Sequence, residues 1–272
     1  MAAGIRNRTG HRPVPRPAGQ AVVRSAVPLV AAAVGIASLM WILGSLLVNS
    51  SAQSFLSRLD MQTTTWAVEH RTPNLDMATH IGTMLADTFV ALGVTVVAVV
   101  LLRLWLGRWR ESVVVVLALV GELLIFLVIT AVVHRSRPAV PQLDQAPPTS
   151  SFPSGHTGAA IALYCCLAVI LLRHAKPRWV AASVAVLGCI IPVIVAFSRV
   201  YRGMHYLTDV LAGALASVIW LAVVLVVVPR TQPTAPSGPK AESTVGYGGS
   251  AARAEPCMPG SADPADKQHR GA

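Results

Sequence analysis

Three short stretches of this chain combine histidine, arginine, serine, glycine and aspartate at spacings that suit chemistry on an anion. The first is His134-Arg135-Ser136-Arg137-Pro138, the second Pro153-Ser154-Gly155-His156, and the third Ser198-Arg199 followed by His205 and Asp209. Arg137 and Arg199 present planar forks of N–H donors that fit phosphate oxygens. Ser154 and Gly155 stand just before an apolar run, where a hydroxyl and the free amides of a helix start form an anion site. Gly155 has no side chain to obstruct a phosphate approaching the backbone. His156 and His205 supply two imidazoles, one for nucleophilic attack and the other for acid catalysis. Asp209 follows His205 by four residues. On a helix the two share a face, so the carboxylate can accept from one ring nitrogen and leave the other free to attack. A zinc site of His134, His156 and His205 is the competing reading, opposed by the arginines beside them. The plainer readings make His134 and Arg135 surface or topology residues, Arg202 a solvated loop charge, and Tyr201 and Tyr206 interface anchors.

These residues must be held by something, and the composition says what. The chain has 272 residues, 54% apolar and only 12% charged, about half the charge of an ordinary soluble domain. Mean hydropathy is +0.59. That excludes a disordered chain and a typical cytosolic enzyme. The apolar residues fall into six blocks: Val27 to Val48, Met77 to Leu102, Val113 to Val133, Thr157 to Leu172, Val180 to Phe197 and Leu207 to Val228. Their lengths predict an all-α, polytopic bundle of six transmembrane helices. The fourth block is short for a span, and its start is expected to line a protein-walled cavity. Four cysteines make no disulfide framework, and Cys165, Cys166 and Cys189 read as small buried hydrophobes. A net charge of +10 would suggest nucleic acid in a soluble protein. Here the basic residues border the apolar blocks, so topology accounts for them and no nucleic-acid partner is expected.

Sixteen Lys and Arg lie on one side of the six blocks and six on the other. The positive-inside rule then puts both termini in the cytoplasm of a plasma (inner) membrane, with the three motifs facing the periplasm or exterior. Residues 1–26 form a basic N-terminal extension, 27–228 the membrane domain, and 229–272 a Pro/Gly-rich tail, and both extensions are expected to be disordered. The long outward segment from Ser50 to Asp76 is expected to lie on the membrane surface or to cover a site. Asp87 and Glu122 fall well inside apolar blocks, where an acid is costly, and read as structural polar contacts.

The three stretches resemble the signature of the type 2 phosphatidic acid phosphatase (PAP2) family: Lys-x6-Arg-Pro, Pro-Ser-Gly-His and Ser-Arg-x5-His-x3-Asp. The second is complete at 153–156 and the third runs in full from Ser198 to Asp209; the first keeps Arg137-Pro138 but has Thr130 in place of the lysine. The resemblance extends over roughly Val27 to Val228 and implies a PAP2-like six-helix bundle. It implies that His205 is the nucleophile that forms a phosphohistidine, that Asp209 orients it, and that His156 protonates the leaving group and then helps activate water. It makes Arg137, Arg199, Ser154 and Gly155 the phosphate-binding residues and implies no metal and no cofactor. Thr130 departs from the pattern, and Arg135 or His134 is expected to supply the missing charge as an accessory. The activity implied is hydrolysis of a membrane lipid phosphate or pyrophosphate, such as phosphatidic acid or undecaprenyl pyrophosphate. The alternatives are a phosphotransferase using a lipid or sugar acceptor, and a degenerate, non-enzymatic membrane scaffold.

Overall fold

Short polar sequences punctuate the apolar chain and set where each helix begins. The computed structural model describes residues 18–49, 54–146 and 148–228, with side chains described from residue 26 onward. The expected disordered extensions therefore lie outside the described residues, apart from the helical backbone from residue 18. Helix α1 spans Ala18–Val48. Helix α2, Phe55–Glu69, is capped by Ser54, whose hydroxyl accepts the Ser57 N–H at 3.2 Å. Helix α3, Pro73–Met84, has Thr72 as its cap and proline in its first turn. Helix α4, Thr88–Leu106, starts at Asp87, whose carboxylate accepts the Phe89 N–H at 3.0 Å. Then come α5 (Arg110–Val132), α6 (Gly155–Ala160), a π turn (Ile161–Cys165), α7 (Cys166–His174), α8 (Arg178–Tyr201) and α9 (Leu207–Val227). The π turn joins α6 and α7 into one rod.

Six of these stretches are long and apolar enough to cross a membrane: Ala26–Val48, Thr88–Leu106, Arg110–Val132, Gly155–His174, Arg178–Tyr201 and Leu207–Val227. The protein is an all-α, multi-pass membrane bundle, as the six blocks indicated. The second block is the exception in detail. Its first part belongs to the separate helix α3, and the true span begins only at Thr88. Asp87 is thus a helix cap at the end of a span, not an acid buried in mid-membrane. Large apolar side chains such as Phe89, Leu104, Val193 and Val226 stay exposed, a surface suited to lipid and not to water.

Helix α9 is the hub. It packs against α1, α5 and α6, while α3 and α7 pack on α8 and α4 on α5. Small residues let the backbones approach, as lipid-embedded helices require. Gly213 of α9 makes the closest approach to another backbone: a Cβ there would come within 2.5 Å of the Ser154 carbonyl. Trp220 donates from Nε1 to the Leu117 and Ala118 carbonyls at 3.1 Å, joining α9 to α5. Glu122 is buried, and its carboxyl fills the space beside Gly158, where Ser217 also points, so its reading as a structural polar contact fits. Cys166 is buried, but Cys189 is exposed and Cys165 only half-buried, against expectation.

Candidate active site

The three motifs meet at one end of the bundle. The loop 133–154, the starts of α6 and α9 and the end of α8 converge there, with α2 and α3 laid over them. The Ser50 to Asp76 segment, so far as it is described, therefore covers this end. Tyr201 is buried and fastens the cover: its hydroxyl accepts the Thr72 N–H and donates to Asp76 Oδ1, both at 3.0 Å. It is a clamp and not an interface anchor.

His205 lies in the short connection between α8 and α9 and is buried. Its Nδ1 is 2.7 Å from the Ser151 carbonyl oxygen. A carbonyl can only accept, so Nδ1 carries the hydrogen and the lone pair of the neutral ring is on Nε2. The ring is thereby set for attack through Nε2. Burial pushes the His205 pKa below the ordinary histidine value; the Asp209 carboxylate opposes this, while Arg199 and Arg137 add to it.

Asp209 does not make the expected direct hydrogen bond to His205. Its Oδ2 is 3.8 Å from Nδ1. The reason is that its oxygens are taken: Arg135 donates to Oδ1, and the Tyr206 N–H donates to Oδ2 at 2.9 Å, as in half a capping box. Orientation of the imidazole falls to the Ser151 carbonyl, with Asp209 acting through its charge and by fixing the first turn of α9.

Arg135 is correspondingly not a substitute for the missing lysine. One arm reaches Asp209 and Thr208 Oγ1 (2.7 Å), and the other reaches Asp60 Oδ2 at 2.7 Å. The guanidinium also stacks 4.4 Å above the Tyr206 ring, so Tyr206 serves as a platform for it. Asp60, from α2, is buried and takes the Thr208 N–H at 2.9 Å and the Thr208 hydroxyl at 2.6 Å as well. Asp60, Arg135 and Asp209 thus form a buried chain that ties the cover to the start of α9. Thr130 turns its hydroxyl back onto its own helix, to the Phe126 and Leu127 carbonyls at 3.1 Å, and His134 is exposed. Arg135 and Thr130 are thus both engaged within the fold.

Arg137 and Arg199 are different. Arg137 donates to the Met204 carbonyl at 2.8 Å, next to His205, and Arg199 to the Thr83 hydroxyl at 2.9 Å. The Nε of each is buried without a hydrogen-bond partner. A buried donor left unpaired is costly, and an anion accepting from it would relieve that cost. Burial also pulls the Arg137 pKa below the ordinary guanidinium value, only partly offset by Asp209. The nearest loop carboxylate, Asp144, is committed elsewhere: Arg202 holds it at 2.6 and 2.8 Å, and Arg199 lies 3.5 Å away. Burial would raise the Asp144 pKa, but Arg202 and Arg199 outweigh it and keep the carboxyl below its usual range. Arg202, expected to be solvated, is buried and fastens the 133–154 loop to α8 through this pair.

His156 sits in the first turn of α6, within electrostatic reach of Arg199 and His205. Ser154 is buried; its N–H donates to the Asp209 carbonyl at 3.0 Å and its hydroxyl pairs with that of Thr157 at 3.0 Å. Gly155 is required by packing as well as by any ligand, because a Cβ there would lie 2.8 Å from the Phe126 ring. Among the described residues no group of three or more His, Cys, Asp or Glu is placed to hold a metal ion. The zinc reading has no geometry behind it.

Residues 111–233 match the PAP2 superfamily. The chain is 40% identical over 67 residues to phosphatidylglycerophosphatase B of Bacillus subtilis (strain 168), covering 23% of this chain and 32% of that protein. It is 35% identical over 91 residues to an undecaprenyl-diphosphatase of Sulfolobus acidocaldarius, covering 34% of this chain and 39% of that protein. The matched stretches thus span 32% and 39% of these relatives' length. The crystal structure of a transmembrane PAP2 type phosphatidylglycerolphosphate phosphatase from Bacillus subtilis superposes with a TM-score of 0.63 at 25% identity, over 71% of this chain and 94% of that one.

Proposed function

We propose that this chain, whose residues 111–233 match the PAP2 superfamily, is a membrane phosphatase cleaving a lipid phosphate or pyrophosphate through a phosphohistidine on His205. The observation that carries the proposal is the pairing of a buried imidazole, held by Ser151 with Nε2 free to attack, with two arginines whose buried Nε groups lack partners.

In the first step Nε2 of His205 attacks phosphorus. The P–N bond forms as the P–O bond to the leaving group breaks, and His156 gives that oxygen its proton. Arg137, Arg199, the Ser154 side and the amide of Gly155 meet the charge on the transferring oxygens. In the second step water attacks phosphorus, His156 takes its proton, and the P–N bond breaks to free His205 and inorganic phosphate. The residues form a cationic clamp, so no metal is assigned a part.

A lipid substrate is favoured by position. The site lies at the ends of membrane-spanning helices, where a headgroup can reach it from the bilayer. The names of the relatives, a phosphatidylglycerophosphatase and an undecaprenyl-diphosphatase, agree with that class. The sixteen-to-six distribution of basic residues supports cytoplasmic termini and a site facing outward, with residues 27–228 as the catalytic unit.

The test is chemical trapping. Purified protein, given a radiolabelled lipid phosphate or pyrophosphate with excess EDTA, is expected to turn over and to yield a base-stable, acid-labile phosphoenzyme. His205→Ala should lose both label and turnover. His156→Ala should slow turnover by about 10²- to 10⁴-fold while still labelling with a good leaving group. Wild-type turnover by His205→Ala would remove the phosphohistidine, and a folded protein inert toward every lipid phosphate would favour the scaffold.

A further inference from the structure

A second cationic cavity lies at the opposite end of the bundle. Its volume is about 550 Å³, and its wall is supplied by Arg108 from the α4–α5 link and by Arg110, Glu111, Arg173, His174 and Arg178 from the ends of α5, α7 and α8. The α6–α7 rod has His156 near one end and His174 at the other. At 1.5 Å per residue the two are about 27 Å apart, close to the hydrocarbon thickness of a bilayer. The cavity is thus separate from the site of His205.

Topology alone explains basic residues at this end, but not their arrangement. Four arginines face one cavity that has a single carboxylate. Glu111 is buried and accepts two bonds from Arg108 at 2.9 Å, with Arg110 at 3.3 Å and His174 Nε2 at 3.2 Å. Arg110 also donates to the Val228 carbonyl at 3.0 Å, and Arg178 donates to the Leu172 carbonyl. Glu111 and these carbonyls hold the guanidinium groups of Arg108, Arg110 and Arg178 in place, and the four arginines with the one carboxylate carry a net positive charge of three. Val169 and Leu172 contribute an apolar part of the wall, a surface for the start of an acyl chain.

We propose that this cavity binds the phosphate headgroup of an anionic phospholipid from the leaflet opposite the active site. Basic cavities between membrane helices at the cytoplasmic end favour such headgroups, and the guanidinium fork matches phosphate oxygens. The lipid joins the ends of α5, α7 and α8, so it stabilises the bundle without entering the reaction.

The experiment is thermal melting of the purified full-length protein in neutral detergent. Phosphatidylglycerol, phosphatidylcholine and inorganic phosphate are added at equal concentration. Phosphatidylglycerol is expected to raise the wild-type Tm by about 3 °C or more, and the other two by much less. Arg173→Gln and Arg178→Gln should each lose at least half of that increment, and Arg103→Gln, whose arginine lies over Trp109 outside the cavity, should keep it. The increment is read within each variant, so a lower starting Tm does not affect it, and native mass spectrometry of the same samples counts retained lipid. An equal increment from phosphatidylcholine, or an unchanged one in both cavity variants, overturns the proposal. A full increment from inorganic phosphate overturns the lipid as its source.

Discussion

A buried imidazole whose Nδ1–H is committed to the Ser151 carbonyl resists a second proton, because burial, together with Arg199 and Arg137, opposes the charge against the pull of Asp209. The proposed attack needs a neutral ring. The acidic limb of kcat/KM, corrected for ionisation of the substrate, is therefore expected below pH 6.5, the ordinary histidine value; a limb above it would mean that His205 is not the group titrating. The same depression sets a sign for stability. As pH falls below 6.5 the unfolded chain takes up the proton first, so the folded state loses stability until the pH reaches the lower folded pKa. Asp60 carries a second expectation at this scale. It accepts from Arg135 and twice from Thr208, and breaking a buried pair from one side costs about 3–5 kcal/mol. Asp60→Ala should lower Tm strongly and reduce kcat, because Arg135, which holds Asp209 with one arm, then loses the anchor of its other arm. Unchanged melting with unchanged kcat would dismiss the Asp60–Arg135–Asp209 chain as a positioning device. His156, Arg137, Arg199 and His205 stood out as candidates by residue type and spacing, and the fold brings their segments to one end of the bundle. Ser151 did not, since it acts through its backbone carbonyl, and Asp60 did not, since it lies far from the motifs in sequence and has no spacing pattern of its own.

The elements place those residues by close approach. The Pro153-Ser154-Gly155 turn rests on α9, where Gly213 leaves room for the Ser154 carbonyl and the Ser154 N–H reaches the Asp209 carbonyl at 3.0 Å. Gly213→Ala adds one methyl group against backbone that cannot swing aside. Overpacking of this kind costs roughly 1–3 kcal/mol, and the displaced turn carries Ser154, Gly155 and His156 with it. The expected result is a lower Tm together with a kcat reduced at least about tenfold, since small misplacements of reacting groups are costly. A variant that melts lower yet keeps full kcat would show that the turn tolerates the shift. Block length revealed the six spans because the hydrocarbon layer sets a minimum run of apolar residues. It did not reveal the break at Leu85-Ala86-Asp87, where two of the three residues are themselves apolar. The signal that could have found it was local: Thr72-Pro73 and Asp87-Thr88 both read as helix starts.

Across the whole molecule the charge is divided between two ends with different tasks. At the site end, the carboxylates Asp60, Asp209 and Asp144 each engage an arginine, and Arg137 and Arg199 keep donors in reserve. At the other end, four arginines surround Glu111. Hydrophobic content disclosed the membrane, but only the folded chain separates arginines spent on packing, Arg135 and Arg202, from Arg137 and Arg199, whose Nε groups lack partners. Orientation can be tested directly on this division. Gln142 is exposed on the site-end loop and Lys176 is exposed between α7 and α8, whereas Ser151 is buried and unsuited to labelling. With the native cysteines replaced, Gln142→Cys in intact cells should react with a membrane-impermeant thiol reagent, and Lys176→Cys should react only after the membrane is opened. Sixteen basic residues against six make this the expected direction, because translocating Lys and Arg across the membrane is disfavoured. The reverse labelling pattern would turn the proposed phosphatase site toward the cytoplasm and confine its proposed substrates to lipids presented on the inner leaflet.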